Sequence, residues 1–530
     1  MLISAESVMV ATSCLIACLL ASAVNGARIL GIFMNPSYSH QSYFQPIWKE
    51  LSLRGHEVTI YTPRPINDPK LVNLTEYNIN LSDELHSKKF ESEKSNGYTD
   101  IFHRLLRYAD EQLSHPDVKA LIENRDNRTY DLLLVEFLFP SYYALKDLYK
   151  VPMVGLASLP PVILNSDILG IEKHPALDPD IMLPFSSTSD LKQRLISWIY
   201  NFGFRMVNRL YVEYHVNLQA KKHFGENTRD VRELGREVSL VIADTSFELH
   251  NVKPVIPSLV PVSGLHLKPL KPLPDDLEAI LNSSDQVIYF SFGTNVRTAE
   301  IPKRIVDVVL HAIQQLPYTV LWKYDGDELP QNISSNVHIR KWFPQQDVLA
   351  HPKVKLFVTQ GGLQSIEEAV YYQVPLLVVP FYSDQKYNAH RLTSLGVAET
   401  ALPHTSTKEE ISSKIKKILG NPKYKENMEH ISSIFLDEPM KPIDKAIWWI
   451  EYVLRHKGAE HLKYGAVGMP FYQYYMLDVY ATLILAVVVL YHICRRIYRL
   501  LFRNAIYPLI GLVYRLIFKR TLSETEKKHQ

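Results

Sequence analysis

Short apolar runs rich in β-branched and aromatic residues recur along the chain, separated by longer stretches of helical periodicity. The runs Ile29–Met34, Val58–Tyr61, Leu132–Val135, Val238–Ala243, Val287–Ser291, Thr319–Lys323, Val337–Lys341, Lys355–Thr359 and Leu376–Pro380 predict strands. Strands alternating with helices predict an α/β class with parallel sheets. The unbroken apolar character of several runs implies burial on both faces. Between Lys253 and Asp285, Pro254, Pro257, Pro261, Pro269, Pro272 and Pro274 interrupt all periodicity. Proline fixes φ and removes a donor, so this segment reads as a semi-rigid connection rather than an element. The expected organisation is two doubly wound halves, 27–252 and 286–470, joined by 253–285 and facing a cleft. Ligands in such sheets bind outside the carboxyl ends of the strands.

Leu191 to Phe224 form the longest helical pattern, with a Ser189/Asp190 cap and a stop at Gly225. Its aromatic residues, Trp198, Tyr200, Phe202, Phe204, Tyr211 and Tyr214, read first as core packing. The wall of an apolar pocket and a membrane-touching patch are the alternatives.

Two apolar runs lie outside this body. Residues 1–26 read as a signal peptide, apolar from Val8 to Val24 and followed by small residues, although Glu6 is atypical there. Residues 471–494 read as a transmembrane helix. Its apolar core, Val479–Cys494, has tyrosines 472, 474 and 475 on one side and Arg495, Arg496, Arg499 and Arg503 on the other. The basic flank predicts a cytoplasmic tail over 495–530, with a segment Ile497–Phe518 lying in the headgroup plane and broken at Pro508. The tail closes on Lys527 and Lys528, which match a dilysine retrieval signal. Together these predict a type I, single-pass protein of the endoplasmic reticulum membrane with a luminal body. The acceptor triplets at Asn73, Asn80, Asn127, Asn282 and Asn332 all precede the span, which fits glycosylation of that body.

Charge and cysteine content exclude several classes. The 530 residues carry 58 Lys and Arg against 56 Asp and Glu, a net charge of +2. So even a balance argues against a nucleic-acid partner, which requires a basic field. The three cysteines are Cys14, Cys18 and Cys494, none within the expected body, so a disulfide scaffold, a thiolate metal site and a cysteine nucleophile are all excluded.

The chemistry concentrates at strand ends of the second half. After Lys355–Thr359 come Gln360, Gly361, Gly362, Leu363, Gln364 and Ser365, then a helix carrying Glu368. Glycines before a helix offer free backbone N–H groups to an anion, with the amides and hydroxyl as neutral donors and the carboxylate as acceptor for sugar hydroxyls. Asp384 and Gln385 follow the next strand, Trp342 and Gln345 another, and Ser291, Gly293 and Thr294 a fourth. An indole face can stack on a flat base. In the first half, His40 follows the first strand and Glu136 ends another. Imidazole suits general-base work near neutrality. The pairs Asp325/Asp327 and Asp178/Asp180 resemble a metal-binding Asp-x-Asp, yet each encloses Gly or Pro and reads as a surface turn. No metal site is expected.

The run Phe357–Glu368 continuing through Pro375, Pro380, Asp384 and Gln385 resembles the signature of the UDP-glycosyltransferases. Trp342-Phe-Pro-Gln345, Phe290-Ser-Phe-Gly293 and Arg455-His-Lys-Gly-Ala459 match that family as well. The resemblance implies a GT-B fold of two Rossmann-like domains, with a lipophilic acceptor in the N-terminal domain and a UDP-sugar in the C-terminal one. It implies that Trp342 stacks on uracil and that Ser291, Gln360 and Ser365 meet the diphosphate. Glu368 would hold the ribose, and Asp384 with Gln385 the sugar. His40 would be the general base, and Glu136, where an aspartate is usual, its orienting partner. Gln360 departs from the histidine of vertebrate and plant members and is similar to arthropod ones, for which UDP-glucose is the usual donor. The expected activity is inverting, metal-independent and of detoxification type: transfer of glucose, or less readily glucuronate, to a hydroxyl of a small lipophilic acceptor, with no resident cofactor. Two alternatives stay open, a binding protein whose catalysis is lost through Gln360 and Glu136, and a metal-dependent transferase. The acceptor and the oligomeric state are not encoded in these motifs.

Overall fold

The computed structural model describes residues 26–80, 98–124, 127–298, 301–326, 329–330 and 332–526. The expected signal peptide, Cys14 and Cys18, and the terminal Lys527 and Lys528 lie outside the described residues. The chain forms two compact units, one ending at Val467 and the other covering 468–530.

The first unit contains two wholly parallel sheets. The seven-stranded sheet runs in the order β3-β2-β1-β4-β5-β6-β7. Its strands are β1 (Arg28–Ile32), β2 (Glu57–Thr62), β3 (Leu74–Asn78), β4 (Leu132–Glu136), β5 (Met153–Ala157), β6 (Leu240–Ala243) and β7 (Leu259–Pro261). The six-stranded sheet runs β10-β9-β8-β11-β12-β13. It is built from β8 (Val287–Ser291), β9 (Thr319–Lys323), β10 (Val337–Arg340), β11 (Val354–Thr359), β12 (Leu376–Val378) and β13 (Ala398–Thr400). In both sheets the order reverses beside the first strand, between β1 and β4 and between β8 and β11. A crevice opens at such a reversal because the crossovers leave in opposite directions. β4, β6, β8 and β12 are buried throughout, as strands covered on both faces must be.

Four strands were not expected from the sequence. β3 is an edge strand and half-exposed, so it lacks an apolar run. β7 and β13 have three residues each, too few for a period. β5 carries Gly155 between apolar residues, which hides its character.

The connection 253–285 also requires correction. It contributes β7 to the first sheet and an eight-residue helix, Asp275–Asn282, whose first turn carries Asp275, Asp276 and Glu278. The expected boundary at 470 hides a return of the chain. The helix Pro442–Arg455 buries Ile447, Ile450 and Val453 in one core with Trp48 and Leu51, against the first sheet. Residues 286–470 are therefore not a single domain: their last helix belongs with the N-terminal half.

The second unit contains a helix Leu477–Leu501, a π-helical turn Phe502–Ile506 and a helix Tyr507–Glu526. The stretch Leu477–Thr521 is long and apolar enough to cross a membrane. The helix begins later than the expected 471, because Phe471–Tyr474 forms a separate short turn. Pro508 does not break the helix. It follows the π-turn, where the i→i−4 ladder is already interrupted and a missing donor costs little.

The expected surface turn at Asp178 and Asp180 is instead part of a buried ion network. Lys173, 1% exposed, lies 3.3 Å from Asp180, which is itself buried. All five acceptor asparagines, Asn73, Asn80, Asn127, Asn282 and Asn332, are exposed, as glycan attachment requires.

Candidate functional site

Two cavities meet in the first unit. The larger, of about 450 Å3, is lined by Ser291, Gly293, Thr294, Trp342, Gln345, Gln360, Gly362, Gln364, Ser365, Glu368, Asp384 and Gln385. Every residue that the sequence places on a nucleotide sugar therefore faces one space, because each follows the carboxyl end of a strand in the second sheet. The smaller, of about 260 Å3, lies over the first sheet, and Phe102, Leu105, Phe139, Phe204, Val212 and Val216 give it an apolar wall. His40, Leu159 and Ser383 line both cavities.

The large cavity is built around an uncapped helix start. Leu363–Tyr371 begins at Gly362, which provides no side-chain cap, so its first-turn N–H groups remain available to an anion. Gly293 has a φ of 75°, and a Cβ there would lie 2.7 Å from Gln360 Nε2. Only glycine permits that turn and that close approach. Gln360 is 5% exposed and its Oε1 has no hydrogen-bond partner. Ser291 Oγ accepts from the Gly293 N–H at 3.1 Å, which fixes the same turn.

Carboxylates and amides form the rest of the wall. Gln345 Nε2 donates to Glu368 at 2.6 Å and Gln346 Nε2 at 3.0 Å. Burial pushes Glu368 up to about 7 against these donors. Asp384 is raised to about 6 by burial, with Asn388 donating to it at 2.8 Å in opposition. Gln385 Oε1 accepts the backbone N–H groups of Phe381 and Tyr382 at 2.8 and 3.1 Å, which folds its loop onto the cavity. Trp342 is half-exposed and meets the edge of Tyr38 from the first half at 5.4 Å.

His40 stands in the first turn of the helix Tyr38–Leu53, just after the loop that leaves β1. Ser158 Oγ lies 2.5 Å from its Nδ1. Glu136, expected to orient the ring, shows different hydrogen bonds. Its Oε2 accepts the backbone N–H groups of Met34 and Asn35, both at 2.9 Å, and its Oε1 has no partner. Burial raises Glu136 to about 7, opposed by those N–H groups. The carboxyl thus secures the loop that carries His40, and it lines the apolar cavity.

Gln364 also has a second use. Its Nε2 donates to Ser158 O at 2.9 Å and to Asp244 Oδ2 at 3.1 Å, both in the first half. Both amide hydrogens are thus engaged in tying the halves together. Asp244 is itself raised well above the carboxylate range by burial and by Glu367 beside it.

Sequence reasoning missed Ser158, Lys323 and Tyr38. Lys323 ends β9 in the large cavity, donating to Gly293 O at 2.6 Å and lying 5.6 Å from the Trp342 ring. The signal for Lys323 was a lysine closing an apolar strand, and for Ser158 a hydroxyl just past a strand that had gone unread. Among the described residues no group of three or more His, Cys, Asp or Glu could hold a metal ion.

A family model described as "UDP-glucoronosyl and UDP-glucosyl transferase" matches residues 28–508. Among similar curated proteins, "UDP-glycosyltransferase UGT5" of Dactylopius coccus is 33% identical over 87% of this chain and 89% of its own length. "UDP-glucuronosyltransferase 2B9" of Macaca fascicularis is 30% identical over 85% and 89%. Among solved structures, the spinosyn forosaminyltransferase SpnP matches with a TM-score of 0.56 at 18% identity. That match covers 81% of this chain and all of the other, a likeness of fold.

Proposed function

The chain belongs to the UDP-glycosyltransferase family, a family of sugar-transferring enzymes with a GT-B fold, and we propose that it moves glucose from UDP-glucose to a hydroxyl of a small lipophilic acceptor. The observation that carries this reading is the place of His40, on the wall shared by the polar and the apolar cavities. A base in that position reaches an acceptor held on one side and an anomeric carbon presented from the other.

In this mechanism UDP lies along the second sheet, with uracil on Trp342, the ribose on Glu368 and the sugar against Asp384 and Gln385. His40 donates Nδ1–H to Ser158 and takes the acceptor hydroxyl proton on Nε2. The acceptor oxygen forms its bond to the anomeric carbon as the bond from that carbon to the UDP oxygen breaks, with inversion. The helix start at Gly362, with Ser291, Gln360 and Ser365, receives the charge of the departing diphosphate, so no metal ion is required. Three neutral donors and a helix terminus stand where a cation would otherwise act. The apolar lining of the smaller cavity supports a lipophilic acceptor of detoxification type.

The span, the basic flank and the exposed acceptor asparagines support a type I protein of the endoplasmic reticulum with a luminal body. The alternative of a binding protein without catalysis draws on Gln360 and on the backbone hydrogen bonds of Glu136. The Ser158 contact speaks against it, since a hydroxyl meets the ring at Nδ1, where an orienting group would act. Incubating the protein with UDP-glucose or UDP-glucuronate and a panel of hydroxylated lipophiles tests the proposal, with NMR of the product. A β-linked glucoside is expected; retention at the anomeric carbon, or no product from any donor, would overturn it.

A further inference from the structure

The segment expected to pack in the core buries only one of its faces, with Phe204, Val212 and Val216 inside. Leu191–Val207, the π-turn Asn208–Val212 and Glu213–Phe224 follow one another without a break. At about 1.5 Å per residue they extend for roughly 50 Å. One face carries Leu191, Leu195, Trp198, Phe202, Leu210 and Tyr214, spaced three to four residues apart for most of its length, and all are exposed. Trp198 is 55%, Phe202 57% and Leu210 68% exposed, and the first two rings stack at 5.6 Å. A continuous apolar stripe of this length is far more than the scattered apolar residues of an ordinary surface.

The exposed charges between Leu191 and Phe224 are all cationic. Lys192, Arg194, Arg209, Lys221 and Lys222 are exposed, and the one carboxylate between Leu191 and Phe224, Glu213, is buried and paired with Arg209 at 2.5 Å and with Arg232 at 3.0 Å; Lys222 pairs with Asp110 at 2.8 Å, so Lys192, Arg194 and Lys221 carry the attraction to an anionic surface. Apolar and aromatic residues accompanied by cations, with no exposed carboxylate between Leu191 and Phe224, are the pattern of a helix that lies in a membrane interface. The chain also carries a helix able to cross a bilayer, so a lipid surface is tethered to it.

We propose that the outer face of Leu191–Phe224 docks on an anionic lipid surface, with Trp198 and Phe202 among the acyl chains and the cations at the headgroups. The inner face of the same helices supplies Phe204, Val212 and Val216 to the apolar cavity, so one wall of that cavity would adjoin lipid. This consequence rests on reading the cavity as the acceptor site, whereas the docking itself does not.

The full chain reconstituted in vesicles of phosphatidylcholine and phosphatidylserine, with acyl chains brominated near the headgroup, provides the test. The bromine quenches tryptophan that enters the acyl region, and Trp198→Phe isolates the contribution of one ring. The wild type should lose more emission than W198F, and the difference should shrink in vesicles without phosphatidylserine. Equal loss in both proteins would overturn the proposal. So would dimers cross-linked through Ile199→Cys with no Trp198 quenching, since a second copy would then cover the stripe. Because quenching needs no turnover, it stands or falls apart from the assignment of donor and acceptor.

Discussion

The backbone carbonyl of Ser158 accepts a hydrogen bond from Gln364 at 2.9 Å, while the hydroxyl of the same serine meets His40. The residue that holds the proposed base is thereby held by the helix at which the diphosphate would sit. Nucleotide site and base are linked through a single side chain, across the two halves.

If that link positions the imidazole, Ser158→Ala should lower kcat by about tenfold, a fraction of the 10²–10⁴ typical of general-base catalysis, and leave the KM for UDP-glucose unchanged. Gln364→Ala should lower kcat as well, and the double variant should lose less than the product of the two. Steady-state kinetics of the four proteins measures the coupling. Independent, multiplicative losses would show that Gln364 does not act through Ser158.

At Gly293 two constraints coincide, a φ of 75° and a Cβ position 2.7 Å from Gln360 Nε2. Forcing a side chain into that conformation costs about 1–3 kcal/mol. Gly293→Ala should therefore raise the KM for UDP-glucose by about fivefold or more, since 1.4 kcal/mol corresponds to a factor of ten. Titration calorimetry with UDP checks that the loss lies in donor binding.

Much of this site was legible from sequence, and the reason is local. Ser291, Gln360 and Asp384 each follow a run of apolar residues within one or two positions, so recognising the strand locates the residue. Ser158 and Lys323 matter through partners distant in sequence: His40 is 118 residues from Ser158 and Gly293 is 30 from Lys323. No period or spacing announces such a pairing. The helix Pro442–Arg455 was hidden for the same reason, since its amphipathic pattern does not say which sheet it covers. The exposed stripe from Leu191 misled in another way: its apolar count is that of a core helix, and only the fold shows which face has no cover.

Burial raises Glu136 from 4.5 to about 7 in the folded chain. Between those values the fold holds a proton that the unfolded chain has released. This contribution to stability is therefore complete below about 4.5 and is lost as pH rises through about 7, on the order of 3 kcal/mol in all. Glu136→Gln keeps an oxygen for the N–H groups of Met34 and Asn35 and removes the titration. Its melting temperature should fall less than that of the wild type between pH 5 and pH 8, as read by circular dichroism.

In the proposed mechanism a helix terminus and neutral donors, not a divalent ion, receive the charge of the leaving diphosphate. Activity after dialysis against EDTA should equal that before it, and added Mg2+ or Mn2+ should not raise it. Loss on chelation with recovery on adding metal would assign the diphosphate to a cation instead.

The central claim is that His40 removes the acceptor proton at the junction of two cavities. The most direct measurement is turnover of UDP-[14C]glucose by wild type and His40→Ala with the same acceptor, beside the affinity of each for UDP. The account predicts kcat reduced at least about 10²-fold, as for loss of a general base, with UDP binding unaltered. Equal turnover by the two proteins would contradict it.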